Sequence, residues 1–132
     1  MKYSYYALMN EEGGIYTISF PDISGAISEA DSIDQAILNA QEVLEIFMLM
    51  YENEGNEFPE GSSARELSQH LESDNDFIQL ITVDTQIVRM REENKSVNKM
   101  VTLPKWLVEL GKERQVNFSQ LLQSALRSEL HV

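Results

Sequence analysis

Lys95-Ser96-Val97-Asn98-Lys99-Met100-Val101-Thr102-Leu103-Pro104 is the stretch that decides how this chain is built. Val101 and Leu103 alternate with Thr102, which predicts a strand. Pro104 ends strand pairing and suits the first turn of a helix. Leu107, Leu110 and Arg114 then recur at helical spacing, and Gln115-Val116 break the run. Asn117 stands where an N-cap belongs, with Gln120 three residues on, a variant of the capping box. Leu121, Leu122, Ala125, Leu126 and Leu130 complete a second amphipathic helix. One strand and two helices within residues 95–132 cannot bury their own apolar faces. A second copy can supply the missing surface, the two strands pairing antiparallel as a ribbon. The predicted dimer core is Val101, Leu103, Leu107, Leu110, Leu121, Leu122, Ala125 and Leu126.

This order of strand, helix, capped turn and helix resembles the ribbon-helix-helix family of DNA-binding domains. With Val101 and Leu103 inward, parity puts Asn98, Met100 and Thr102 on the groove-facing side of the ribbon. Asn and Thr can hydrogen-bond base edges, and Met can pack against a thymine methyl. Lys99 falls on the inward parity unless a bulge turns it out, so whether Met100 or Lys99 faces the groove stays open. Asn117 and Ser119 open the second helix, where free N–H groups can hold a phosphate. Lys95 and Lys105 add backbone charge contacts.

Working back toward the N-terminus, the charge changes sign. The net charge of −12 divides into −15 over residues 1–94 and +3 over 95–132. An acidic whole therefore does not exclude nucleic acid, because DNA responds to the local field of the docking face. There are no cysteines, which excludes disulfides and cysteine-ligated zinc. The first residues lack the apolar segment of a signal peptide, and the longest apolar run, Ile46 to Tyr51, is too short to span a bilayer. The expectation is a cytoplasmic protein with no membrane partner.

Residues 3–9 read as a strand, Asn10 to Gly14 as a turn, Ile15 to Phe20 as a second strand, and Ala26-Ile27-Ser28 as a short third. Ser32 begins a helix with Gln35 completing a capping box. Ile33, Ala36, Ile37, Ala40, Val43, Leu44, Phe47 and Met48 form its apolar stripe. Glu52 to Gly61 is a loop, and Ser63 to Leu71 suits a short helix. Asp76 to Val83 is apolar on both faces and reads as a strand internal to the sheet. Asp84 to Asn94 reads as a polar connector.

The order β-β-β-α-(α)-β, the Phe20-Pro21-Asp22-Ile23-Ser24-Gly25 turn, the Ser32-initiated helix and the appended ribbon-helix-helix together resemble the HicB-type antitoxins. The resemblance implies an α+β protein: residues 1–84 a partial ribonuclease-H-like, toxin-binding domain, 85–94 a linker, and 95–132 a ribbon-helix-helix dimerisation and DNA-binding domain. It implies a protein that neutralises a small HicA-type RNA-cleaving toxin and represses its own operon on double-stranded operator DNA, as a homodimer or a pair of dimers.

A nuclease is the first alternative from another class. Two-metal nucleases need carboxylates converging on ions ~3.5–4 Å apart, and the first strand, Tyr3 to Met9, contains none. His70 and His131 pair with no nucleophile. The expectation is no catalytic residue, no metal and no cofactor. The second alternative is a ligand-responsive repressor without a toxin partner. A domain at −15 suits a basic partner; Tyr16 and Asp22 are the candidates for contacting it.

Overall fold

The computed structural model describes residues 1–93 and 95–132. The chain separates into two compact units, Met1–Asn94 and Lys95–Val132.

The first unit opens with β1 (Lys2–Glu12) and β2 (Ile15–Ser19), joined by Gly13-Gly14. Both glycines have positive φ, 60° and 85°, and Glu12 pairs with Ile15 across them. Those are the two positions where a two-residue hairpin of the twist-matched kind excludes a Cβ. β3 (Ile27–Ala30) follows, then α1 (Ile33–Glu54), α2 (Ala64–Leu67) with a 3₁₀ turn over Ser68–His70, β4 (Phe77–Asp84) and α3 (Thr85–Glu92). The sheet runs β3-β2-β1-β4 and every pairing is antiparallel.

Helix α1 starts at Ser32, whose side chain accepts from the Gln35 N–H at 3.2 Å. It stops at Gly55, which takes the left-handed conformation while its N–H donates to Glu52 O. Between those ends Ala36, Ala40, Leu44 and Met48 are fully buried at four-residue spacing. They cluster with Ala7, Met9, Ile18, Ile81 and Val83, on the inward parity of β1, β2 and β4, and with Phe20 just past β2. At ~1.5–3 kcal/mol for each large apolar side chain, this layer is the main stabilising contact of the unit. Ile33, counted in the stripe from its spacing, is exposed at the first helical position.

Two other features differ from the sequence reading. β4 is an edge strand, not an internal one. The hairpin commits one side of β1 to β2, so β4 takes the single flank that β1 has left. Its inward row, Ile81 and Val83, is buried, while Leu80 on the other row stays exposed. Residues 85–92, read as connector, are helical. Asp84 caps α3 by accepting from the Gln86 N–H at 3.0 Å, Thr85 and Val88 are buried, and Arg89 and Arg91 reach Glu52 and Glu45 of α1 at 3.0 and 2.8 Å. The expected 85–94 linker also includes Asn94, which lies outside the described residues.

The second unit holds α4 (Lys105–Glu113) and α5 (Phe118–Leu130). The Asn117 side chain accepts from the Gln120 N–H at 3.1 Å and starts α5 as its position requires. Residues 95–104 carry no regular secondary structure in the single chain. A strand exists only where a neighbour supplies its hydrogen bonds, and among the described residues of this chain none does so here.

Candidate functional site

In the second unit no described residue is buried; Val108, Leu110 and Gly111 are the most covered and are only half-buried. Its α4–α5 turn is tight: Gln115 is left-handed at φ 57°, its N–H donates to Lys112 O, and Val116 N–H donates to Gly111 O at 2.9 Å. A Cβ on Gly111 would stand 2.6 Å from Phe118 Cζ, so the ring packs directly on the glycine. The two helices and the preceding segment enclose an open apolar groove of about 620 Å³.

All but one of the residues assigned to the dimer core line that groove: Val101, Leu103, Leu107, Leu110, Leu121, Leu122 and Ala125. The remaining one, Leu126, is half exposed on α5. Lys99 lines the groove beside Val101 and Leu103, whereas Asn98, Met100 and Thr102 do not, and Met100 is 94% exposed. Ser119, assigned to phosphate contact, also lines the groove, and Asn117 caps α5. Lys95 and Lys105 are both exposed; Lys105 has only a solvated pairing with Glu109 at 3.7 Å, which leaves it available. Trp106 was not singled out by the sequence reading. It is 65% exposed on α4, one place ahead of the Leu107–Leu110 spacing that drew attention there.

In the first unit, the two residues proposed for partner contact are occupied at home. Tyr16 is half-buried on the inward side of β2, edge-on to Phe77 at 6.1 Å. Asp22 accepts from the backbone N–H of Ser62 at 2.8 Å and from its hydroxyl, tying the 20–26 turn to the loop before α2. Two further carboxylates serve the fold. Asp76 is buried and accepts from the N–H groups of Glu11, Glu72 and Ser73, the Asn10 amide and the Ser73 hydroxyl, all at 2.8–3.0 Å. Those donors, the Glu11 N–H first, hold its carboxyl well below the usual carboxylate range. Glu52 accepts from the Tyr3 hydroxyl, the Thr85 hydroxyl and Arg89 at 2.7, 2.7 and 3.0 Å. Among the described residues no group of three or more His, Cys, Asp or Glu side chains is placed to hold a metal ion. His70 and His131 are exposed and stand in different units.

Residues 5–125 match the family model for the HicB-like antitoxin of bacterial toxin–antitoxin systems. The chain belongs to the HicB-like antitoxin family. Solved structures agree with that placement. A chain of a toxin–antitoxin complex from Streptococcus pneumoniae is 25% identical, with a TM-score of 0.59 over 98% of this chain and 99% of its own. The N-terminal domain of the Burkholderia pseudomallei antitoxin HicB is 27% identical, with a TM-score of 0.50 over 64% of this chain and 99% of its own. The longer Burkholderia pseudomallei HicB chain, 23% identical over 96% of both, shares the fold with a TM-score of 0.51. No curated protein matches this chain. As a HicB-like antitoxin it is a mixed α/β protein with a four-stranded antiparallel sheet. No helix is long and apolar enough to cross a membrane among the described residues.

Proposed function

We propose that this HicB-like antitoxin neutralises a small basic HicA-type toxin through residues 1–84 and represses its own operon through residues 95–132, with no catalysis of its own. The observation that carries the second half is the open groove. A 38-residue unit with no buried side chain has no core until a second copy closes it. Two-fold pairing of residues 95–103 as an antiparallel ribbon covers Val101 and Leu103, fills the groove and turns Asn98, Met100 and Thr102 to the outside. That is the ribbon-helix-helix arrangement. Lys99 on the groove side favours Met100 over Lys99 as the middle reading position. The +3 charge of this unit lets it approach DNA, and pairs of dimers on adjacent half-sites fit the same geometry. We read the first unit's order of strands and helices as a partial ribonuclease-H-like fold, and its −15 charge would steer a basic partner toward it.

The test is a pair of binding titrations, operator and scrambled duplex, at several salt concentrations, alongside a titration with the purified protein of the adjacent reading frame. Asn98→Ala with Thr102→Ala should bring operator affinity toward the scrambled level while leaving most of the salt dependence, since a base contact carries ~1–3 kcal/mol of discrimination. Lys95→Ala should weaken both duplexes alike and lower the log–log salt slope by about one unit. Both variants should bind the toxin as the parent does. If the double variant keeps its preference for operator, the ribbon parity is wrong.

A further inference from the structure

The two edges of the first unit's sheet are unlike. β3 is four residues long and carries Glu29, two of the ordinary devices that blunt an edge. β4 has neither. Its eight residues, Phe-Ile-Gln-Leu-Ile-Thr-Val-Asp, contain no proline, no lysine, no arginine and no charge before Asp84. Among the described residues no strand lies beyond it. The Leu80 carbonyl is met at 3.1 Å by the side-chain amide of its own neighbour, Gln79, where a further strand's N–H would otherwise lie. That marks the parity: Ile78, Leu80 and Thr82 turn their backbone groups to the open side. On the face away from α1, Leu80 (45% exposed) stands beside Tyr6, and Ile78 beside Leu8. An unblunted apolar edge of this length invites a strand from another chain.

We infer that β4 is where the toxin docks: an extended segment of the basic partner adds to Phe77–Asp84 by strand pairing, its alternate apolar side chains lying along Ile78 and Leu80. The charge decides between occupants. Two copies of a unit at −15 repel when laid edge to edge, whereas a basic protein is drawn to the same place. Backbone pairing supplies much of the affinity and the apolar row supplies register. The inference rests on the toxin-binding reading above.

The experiment uses the full-length chain and the purified protein of the adjacent reading frame. Leu80→Lys puts a charge on the apolar row without touching the core, and should weaken the complex at least tenfold. Leu38→Lys, at a somewhat more exposed site on α1, should change affinity less than twofold. In the parent complex, amide exchange at Leu80 and Thr82 should slow at least tenfold, while Ile81, already paired with β1, should change little; this arm needs no variant to fold. Retained affinity in Leu80→Lys with unchanged exchange at Leu80 and Thr82 overturns the docking edge and leaves toxin binding standing. Protection that grows with antitoxin concentration alone overturns it in favour of a second copy. If the parent chain binds no partner, the toxin-binding reading falls and the docking edge with it.

Discussion

Glu52 shows how single residues set this fold's response to pH. Three donors from two other elements meet at its carboxylate: Tyr3 from β1, Thr85 and Arg89 from α3. The Tyr3 hydroxyl first, then Thr85 and Arg89, lower its pKa from 4.5 to about 2 against an opposing effect of burial. Tyr3 answers in the other direction, raised from 10.0 to about 12 by burial first and then by its hydrogen bond to Glu52. A carboxyl lowered on folding stabilises the native state fully above its unfolded value and loses that contribution as pH falls through the folded one. For Glu52 the window runs from 4.5 down to about 2. For Tyr3 the stabilisation is complete below 10.0 and is lost as pH rises through about 12. Glu52→Gln should therefore lower the urea midpoint at neutral pH and flatten the decline of stability toward acid. Some decline should remain, because Asp76 is also held low by its donors. Urea titrations of parent and variant at neutral and acid pH measure this; parallel declines in the two proteins would remove Glu52 from the acid response.

Elements show where the sequence carried the fold and where it did not. Both helix starts at Ser32 and Asn117 were legible, because a cap and its partner are three residues apart and act locally. The Gly13-Gly14 hairpin was legible for the same reason. The edge position of β4 was not, since an apolar run records what each face touches and says nothing of which flank has a neighbour. Helix α3 was hidden because its partners, Glu45 and Glu52, lie on α1 about forty residues earlier, and its own sequence is mostly polar. The contacts of Tyr16 and Asp22 with Phe77 and Ser62 were out of sight for a related reason: both partners come from far along the chain. The α4–α5 turn yields a prediction of its own. Gln115 occupies the left-handed position that glycine usually fills at a helix end, while two backbone bonds, Gln115 to Lys112 and Val116 to Gly111, hold the turn. A non-glycine residue there costs ~1 kcal/mol or more. Gln115→Gly should raise the thermal midpoint of the second unit, read by the fluorescence of Trp106, the only tryptophan, which lies on α4. A lowered midpoint would mean that the Gln115 side chain makes a contact in the dimer that outweighs the backbone relief.

At the scale of the whole molecule, the chain divides charge and core along one line, and the proposed tasks follow it. Residues 1–94 hold the buried core and −15 of charge; residues 95–132 hold +3 and no buried side chain. On the proposed dimer, the folding of the second unit would depend on protein concentration, while that of the first unit, packed on its own helix, would not. Leu122 is the residue on which this can be decided, because it lines the open groove and sits well away in sequence from every residue of the first unit. Leu122→Asp in the full-length chain places a carboxylate where the partner's apolar side chains must close, and a buried unpaired charge is costly enough to prevent closure. Sedimentation should show a monomer at concentrations where the parent is dimeric, and operator binding should disappear in step with the dimer. Toxin binding should persist at one antitoxin to one toxin, with the per-site affinity of the parent, because the sheet and α1 are untouched. A Leu122→Asp protein that stays dimeric, or that still binds operator as a monomer, would show that the groove is not the dimer core. Loss of toxin binding together with the dimer would show instead that neutralisation needs both copies, and that the line between the two units does not separate the two tasks.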